Sequence, residues 1–329
     1  MSRPMSQRIS SFSDLFALSW GFAAQRTLAT ATRTGIIRHL AEGSDTPEGT
    51  AASLGLDAFA VGKVVRALHA LGVAEVDGAS YRLNPNLRPL FRPGDQDVAA
   101  FLAHSDMLND FWGETLEGWV RTGEHPRRVR DAEGQRKFGA AMKAIASHLA
   151  PRVAEELDLH SARRYLDVGG GIGYWATVFC RAEPGLYATV LEHPEVAALG
   201  QAAVAGTGLE ARIEFRGGSY TDADLGEGWD LVLLANIIHQ ERSEGAARLV
   251  QRAACALAPG GRLAVVDFRI DDERRRDLIG VLFAINMRGF GDTYPEPVIR
   301  DWMARAGLEP LPRVDLAPAH WLITGRRRL

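Results

Sequence analysis

The spacing of apolar residues along this chain changes near residue 162. Before it, Ala- and Leu-rich stretches follow a helical period, with little β character until a short segment near Val73. After it, short apolar runs predict strands with helical stretches between most of them. These strands are Arg164–Val168, Ala188–Glu192, Ile213–Arg216, Asp230–Leu234 and Arg262–Asp267. The alternation predicts an α/β fold with a doubly wound sheet.

Glycine and proline mark the ends of the remaining elements in this part of the chain. We expect Ala258-Pro-Gly-Gly to be the turn that stops one helix and starts the fifth strand. The other predicted elements are a helix around Asp277–Met287, a loop at Gly289–Pro297, a helix to Gly307 and a closing strand at Trp321–Gly325.

Residues 46–83 have the order of a winged helix-turn-helix. The predicted elements are a helix from Thr46, a turn at Gly55, a helix from Asp57 to Leu71 and strands at Val73–Val76 and Tyr81–Leu83. Asp77-Gly78 is predicted as the two-residue loop between the strands. The second helix offers only Lys63, Arg66 and His69 as cationic or hydrogen-bonding groups. Because several phosphate contacts normally supply the affinity for DNA, we do not expect DNA binding.

The stretch from Phe12 to Leu40 is more apolar than a one-sided core helix needs. The apolar residues that spread over more than one helical face are Leu15, Phe16, Leu18, Trp20, Phe22 and Ala23. A partner subunit would cover the excess, so we expect an intimate homodimer built on this domain. A helix buried within one chain is the alternative.

Large side chains are frequent between residues 99 and 150. Phe138 and Met142 lie four residues apart on one helical face, where they wall a pocket or fill the core. The polar stretch from Arg121 to Arg130 contains Gly and Pro and is predicted to be a loop.

Composition narrows the class of protein. The chain has 329 residues, enough for two domains with cores, and its formal net charge of −3 gives no field that attracts nucleic acid or an anionic membrane. No run of eighteen apolar residues occurs, so we expect no membrane span, no export and a cytoplasmic location. Cys180 and Cys255 lack metal-ligand spacing and are expected to be free buried thiols.

Residues 165–173, Tyr-Leu-Asp-Val-Gly-Gly-Gly-Ile-Gly, join a strand to clustered glycines and mark a nucleoside-cofactor site. The dinucleotide pattern fits Gly171, Gly173 and Ala176, with Glu192 about 20 residues further on. Asp167 favours a different cofactor, since its carboxylate repels a pyrophosphate but attracts a sulfonium and an ammonium group. We therefore expect S-adenosylmethionine.

His239 follows the apolar run of the fourth strand, at the edge of the sheet where the glycine loop also lies. Imidazole titrates near neutral pH, and a phenol with a pKa near 10 needs a base if its oxygen is to accept a methyl group. A histidine after a strand also occurs in purely structural roles.

Several motifs together carry a resemblance to a family. After a winged-helix domain and a helical linker come Leu166-Asp-Val-Gly-Gly-Gly-Ile-Gly, Val190-Leu-Glu-His-Pro-Glu-Val, Ile237-Ile-His and Pro259-Gly-Gly. This order resembles the small-molecule O-methyltransferases typified by plant caffeate-type and bacterial antibiotic-tailoring enzymes. The resemblance covers nearly the whole chain. It implies a Rossmann-like doubly wound class I methyltransferase sheet, preceded by an all-α winged-helix dimerisation domain.

The resemblance also implies boundaries and roles. It places the dimerisation domain at 1–98, a linker that contributes to the substrate pocket at 99–160 and the cofactor-binding catalytic domain at 161–329. The implied cofactor residues are Asp167, Gly169, Gly171, Gly173, Glu192, Ser219 and Tyr220. The implied catalytic residues are His239 as base, with Asp267 and Asp292 beside it. The implied pocket residues are Phe138, Met142, Asn286, Met287 and Arg288.

This chain departs from the family pattern at two points. Gln240-Glu241 follow the histidine where the family has Asp-Trp, and Ser219 stands where the family has an acidic residue. Tyr220 or Asp222 could replace the lost adenine-side contact. Arg288 is either a clamp for a substrate carboxylate or a solvated surface side chain. Asp267 could equally be a turn cap.

The expected activity is transfer of a methyl group to a hydroxyl, phenolic in character, of a small natural-product-like acceptor. Carbon methylation and S-adenosylmethionine-dependent chemistry without methyl transfer are alternatives on the same scaffold. A ligand-responsive transcription regulator is the alternative from another class. No second histidine stands near Asp292, so we expect no metal site.

Overall fold

The computed structural model describes residues 9–125, 130–272 and 277–329. The chain forms two compact units. The first comprises the described residues of Met1–Arg121 and Arg128–Ile145, and the second those of Thr122–Arg127 and Ala146–Leu329. The three-part division at residues 98 and 160 stays a prediction.

The first unit is helical apart from one hairpin. Its elements are α1 (Phe12–Ser19), α2 (Gly21–Arg33), α3 (Ile36–Glu42), α4 (Pro47–Leu54), α5 (Ala58–Ala70), β1 (Ala74–Asp77), β2 (Ser80–Leu83) and α6 (Ala99–Thr122), and α7 (Ala132–Leu157) begins in it. Side chains cap the two helices of the winged-helix segment at their N-termini: Thr46 accepts from the Gly49 amide and Asp57 from the Ala60 amide. The buried residues Ile37, Leu40, Leu68 and Leu83 form its core.

The hairpin turns one residue later than predicted. Asp77 pairs with Ser80, so the two-residue loop is Gly78-Ala79 and not Asp77-Gly78. Gly78 has φ +61°, which fits a glycine at the first loop position of a type II′ turn.

The second unit contains an eight-stranded sheet covered by helices. Its strands are β3 (Arg164–Val168), β4 (Tyr187–Glu192), β5 (Ile213–Gly217), β6 (Trp229–Ala235), β7 (Leu257–Phe268), β8 (Leu308–Pro310), β9 (Val314–Leu316) and β10 (His320–Arg327). Its further helices are α8 (Tyr174–Ala182), α9 (Pro194–Val204), α10 (Ser243–Ala256), α11 (Leu278–Asn286) and α12 (Glu296–Arg305).

The strand order is β5-β4-β3-β6-β7-β10-β8, with β9 paired to β10. Strands β3 to β7 pair in parallel, whereas β10 is antiparallel to its neighbours. The order reverses at β3, so the loops after β3 and β6 leave the sheet side by side at its carboxyl edge, where open α/β sheets bind ligands. Tyr165 and Leu166 are successive residues of β3 on opposite faces of the sheet, and both are fully buried, as expected for a strand covered on both faces. The predicted doubly wound sheet is confirmed.

Three details of this unit differ from the prediction. Ala258-Pro-Gly-Gly is not a separate turn: β7 already begins at Leu257, and its register against β6 shifts between Trp229 and Leu231. Helix α12 begins at Glu296, inside the predicted loop. Cys180 is buried, but Cys255 is exposed and so is not a buried thiol.

Among the described helices, none combines the length and the apolar character that a membrane span requires.

Candidate active site

The loop between β3 and α8 is shaped by its glycines. Gly169, Gly171 and Gly173 have φ values of +67°, +58° and +77°. Gly170 has an ordinary φ, but a Cβ there would lie 2.5 Å from Cγ of Asp167. The backbone therefore passes directly against the Asp167 carboxylate, and only glycine permits that approach.

Asp167, the penultimate residue of β3, has a fully buried carboxyl group. Neither of its oxygens has a well-formed hydrogen bond among the described residues. Burial, above all, raises the pKa of Asp167 to about 7, and the negative charge of Glu192 adds to this. A cation bound here would be strongly favoured, because it would offset the charge that burial penalises.

Glu192 ends β4 beside the same loop. Its Oε2 accepts from the Gly171 amide at 3.0 Å, and its Oε1 accepts from the His193 amide at 2.7 Å. These bonds hold the carboxylate at the carboxyl edge of the sheet, where it can accept from ligand hydroxyls.

Ser219 and Tyr220 follow β5. The Ser219 hydroxyl lies 2.7 Å from the Thr221 hydroxyl, and the Tyr220 hydroxyl donates to Oε1 of Glu241 at 2.9 Å. Burial raises the pKa of Tyr220, and the hydrogen bond to Glu241 adds to this. Glu241 therefore links the loop after β5 to the segment after His239, a contact that the sequence did not reveal.

His239 lies in a short helical turn, Ile238–Gln240, just after β6, and it is 5% exposed. Its Nδ1 is 2.7 Å from Oδ1 of Asp267, which lies near the end of β7. Since a carboxylate only accepts, Nδ1 carries the proton in the neutral imidazole, and the lone pair is then on Nε2. The same Asp267 oxygen accepts from the Phe268 amide at 2.7 Å, so Asp267 is a backbone cap and a histidine partner at once.

Asp292 approaches His239 through the backbone. Its amide donates to the His239 carbonyl at 3.1 Å, while its own Oδ1 accepts from the Thr293 amide at 2.8 Å. A Cβ on Gly291 would lie 1.9 Å from the His239 carbonyl oxygen, so this close packing requires glycine. The loop is thus fixed against the histidine.

Arg288 is buried, with 2% of its surface exposed, so the solvated-surface interpretation is wrong. Burial lowers the pKa of its guanidinium. Met287 beside it is also buried, and Asn286 is half-buried. The segment therefore places a buried cation directly before the Gly289–Asp292 stretch of the loop.

His125 packs against the loop that follows Arg288, a contact that the sequence did not predict. Its ring stacks on Phe290 at 6.0 Å between ring centres, and its Cβ lies against Gly289. Burial lowers the pKa of His125, and the charge of Arg288 contributes. A histidine in a Gly- and Pro-containing loop gives no periodic signal by which sequence could assign it.

Phe138 and Met142 lie on α7 in the first compact unit. Both are half-buried, and Phe138 makes an edge contact with His104 and a cation–π contact with Arg130. Their place in an acceptor pocket stays a prediction.

Within the described ranges, no three His, Cys, Asp or Glu side chains come together as a metal site. The carboxyl edge of the sheet instead combines the buried carboxyl group of Asp167, the hydrogen-bonded carboxylate of Glu192 and a histidine whose Nδ1 is bound to Asp267. This combination suits a cationic nucleoside ligand and removal of a proton from an acceptor.

Comparison with known proteins agrees with this geometry. A family model described as "O-methyltransferase domain" matches residues 109–294. A 3-hydroxy-5-methyl-1-naphthoate 3-O-methyltransferase from Streptomyces sahachiroi is 29% identical over 317 residues, covering 91% of this chain and 90% of the relative. A tetracenomycin polyketide synthesis 8-O-methyl transferase from Streptomyces glaucescens is 28% identical, covering 95% and 96%.

Among solved structures, human N-acetylserotonin methyltransferase in complex with SAM superposes with a TM-score of 0.85 at 22% identity, covering 98% of this chain and 99% of the other. This similarity shows that the two chains share a fold.

Proposed function

This chain belongs to the O-methyltransferase domain family, and from that premise we propose that it methylates a hydroxyl group, phenolic in character, of a small natural-product-like acceptor, with His239 as the base. It is a methyltransferase that uses S-adenosylmethionine. The observation that carries the proposal is the buried hydrogen bond between Nδ1 of His239 and Oδ1 of Asp267, beside the glycine loop.

The residues at the carboxyl edge of the sheet fit the cofactor. S-adenosylmethionine supplies a methyl group already activated on a positively charged sulfur. Asp167 has two buried oxygens without well-formed hydrogen bonds, which would favour the cofactor's positive charge. Glu192 would accept from the ribose hydroxyls, the glycine loop would lie along the cofactor, and Ser219 and Tyr220 would lie on its adenine side.

His239 would remove the acceptor's proton. With Nδ1 bound to Asp267, the lone pair of Nε2 accepts that proton, and the Asp267 carboxylate stabilises the imidazolium that forms. Asp292 fixes the backbone of the histidine from the opposite loop. The protein would then accelerate methyl transfer by aligning the acceptor with the cofactor and by removing the acceptor's proton.

Arg288 would hold a carboxylate on the acceptor. One relative is named for a naphthoate, an aromatic acid that also carries a hydroxyl. Arg288→Gln should raise KM for 3-hydroxynaphthoate roughly 10- to 100-fold, because a hydrogen bond to a charged group contributes about 1.5–3 kcal/mol. KM for the methyl ester should stay unchanged. Equal effects on acid and ester would contradict the role, and Arg305→Gln, at an exposed ion pair, is the matched control.

A row of exposed aromatic side chains supports the homodimer. Phe12 is 81% exposed, and Phe16, Trp20 and Phe22 are each more than half exposed. Consecutive rings of this row lie 6.2 to 6.4 Å apart. Contiguous apolar patches of this kind mark protein interfaces, and a second copy of the chain would cover this one.

Calorimetric titration with S-adenosylhomocysteine tests the cofactor residues. We expect one molecule bound per chain at micromolar or tighter affinity. Glu192→Gln should weaken binding, whereas Glu195→Gln, on the neighbouring helix α9, should leave it unchanged. Equal affinity in Glu192→Gln and the wild type would remove Glu192 from the proposed site.

A further inference from the structure

Two residues far apart in the chain meet beside the His239–Asp267 pair. His320, the first residue of β10, is 3% exposed, and its Nε2 lies 3.2 Å from Oδ1 of Asn236. Asn236 comes directly after β6, three residues before His239. Since an amide oxygen only accepts, Nε2 of His320 donates. The bond ties the start of β10 to the turn that carries His239.

Asn236 holds that turn in an unusual backbone conformation. Its φ is +53°, in the left-handed region, which asparagine tolerates better than most residues. The backbone N–H of Asn236 donates to the carbonyl of Val266 at 2.8 Å, and Val266 directly precedes Asp267. The turn is therefore attached to β7 through the backbone and to β10 through the amide side chain, and both attachments affect where His239 meets Asp267.

Aromatic rings form a second connection from His320 to His239. The His320 ring lies 4.3 Å from the Phe268 ring, Phe268 stacks on Phe283 at 3.7 Å, and Phe283 makes an edge contact with His239 at 4.8 Å between centres. Because interiors are close-packed, a change of shape at position 320 reaches the His239 ring through these contacts.

His320 is also electrostatically suited to this place. Burial lowers the pKa of His320 to about 4; Asp267 opposes this and His239 adds to it. At neutral pH the ring is uncharged, so the charge of Asp267 acts on the imidazolium of His239 without competition from a second cation.

We propose that His320 and Asn236 are positioning residues: they hold the turn after β6 so that Nδ1 of His239 stays on Asp267 and Nε2 keeps its lone pair for the acceptor's proton. The expected effect of these two residues on catalysis rests on the proposed function, in which His239 is the base. The hydrogen bond itself is observable without an acceptor.

Nuclear magnetic resonance of protein labelled with [¹⁵N]histidine tests this directly. The downfield proton on Nδ1 of His239 is assigned by its absence in His239→Gln. His320→Leu, which cannot donate to Asn236, should lose or shift this signal, while His320→Gln, a neutral donor, should retain it. Affinity for S-adenosylhomocysteine should stay as in the wild type in both. An unchanged signal in His320→Leu would overturn the inference.

Asn236 provides an independent pair of variants. Asn236→Gly keeps the left-handed turn and removes only the amide, so it should reproduce the signal change of His320→Leu. The double variant Asn236→Gly/His320→Leu should show the same signal change as either single variant, because each substitution removes the same hydrogen bond between the two residues. Full additivity, or a wild-type signal in Asn236→Gly, would contradict the pairing.

Methyl transfer then separates the two proposals. With an acceptor that the wild type methylates, kcat of His320→Leu should fall between about 10- and 100-fold with KM unchanged, as expected for a misplaced base. If the signal changes as expected but His239→Gln keeps full turnover, the proposed role of His239 fails and the positioning inference stands. If the wild type methylates the acceptor and His320→Leu keeps both the wild-type signal and the wild-type kcat, the positioning inference fails and the proposed function stands.

Discussion

Nδ1 of His239 lies 2.7 Å from Oδ1 of Asp267, and both side chains are almost completely buried. A carboxylate in this position fixes one tautomer of the imidazole and stabilises its protonated form. Asparagine has nearly the same shape but can present an N–H to Nδ1, which would favour the tautomer that places the proton on Nε2.

Asp267→Asn should therefore lower kcat by at least about 100-fold, the contribution typical of general base catalysis. Binding of S-adenosylhomocysteine should be unaffected. Steady-state kinetics and calorimetry check the two statements. Asp301→Asn, which breaks a surface ion pair with Arg305, is the control and should retain full activity. Wild-type kcat in Asp267→Asn would show that this hydrogen bond has no part in turnover.

Asp167 should make the ligand-free protein less stable as pH rises. Its pKa is raised from 3.8 to about 7 in the folded state, so the folded protein binds this proton more tightly than the unfolded chain does. The resulting stabilisation is complete below pH 4 and is lost as pH rises to about 7. A difference of this size corresponds to roughly 4 kcal/mol, at about 1.36 kcal/mol per pH unit.

Denaturant unfolding at several pH values, with Asp167→Asn for comparison, measures this effect. The stability of the variant relative to the wild type should increase between pH 4 and pH 7 and then stay constant. A relative stability that does not depend on pH would mean that Asp167 does not titrate in this range.

The exposed aromatic row should be an interface between two copies of the chain. Trp20→Asp places a charge in the middle of that row and should convert a dimer into a monomer, as measured by light scattering after gel filtration. Tyr187→Asp is the control, since Tyr187 is 58% exposed on β4 and is not part of the row. A wild-type monomer at micromolar concentration would contradict the interface.

The sheet was predictable because its signals are local. Strand β3 has the bounds that the sequence predicts, since an apolar run ends there in clustered glycines. Strands β8 and β9 were missed because three residues are too few to show a period.

The site was only partly predictable, because burial and long-range pairing are properties of the folded chain. The sequence places His239 at the correct edge of the sheet, yet Arg288 has no local feature that reveals its burial. Asn236 and His320 are 84 residues apart, and only the antiparallel pairing of β10 with β7 brings them together.

The most direct test of the proposed function is the fate of a labelled methyl group. The protein is incubated with S-adenosylmethionine carrying a ¹³C-methyl group and a panel of hydroxylated aromatic acceptors, and the products are examined by ¹³C nuclear magnetic resonance. We predict a methoxy carbon on a product of the wild type and none with His239→Gln, although the variant still binds S-adenosylhomocysteine. A label on nitrogen or carbon, or undiminished methoxy product from His239→Gln, would contradict O-methylation with His239 as the base.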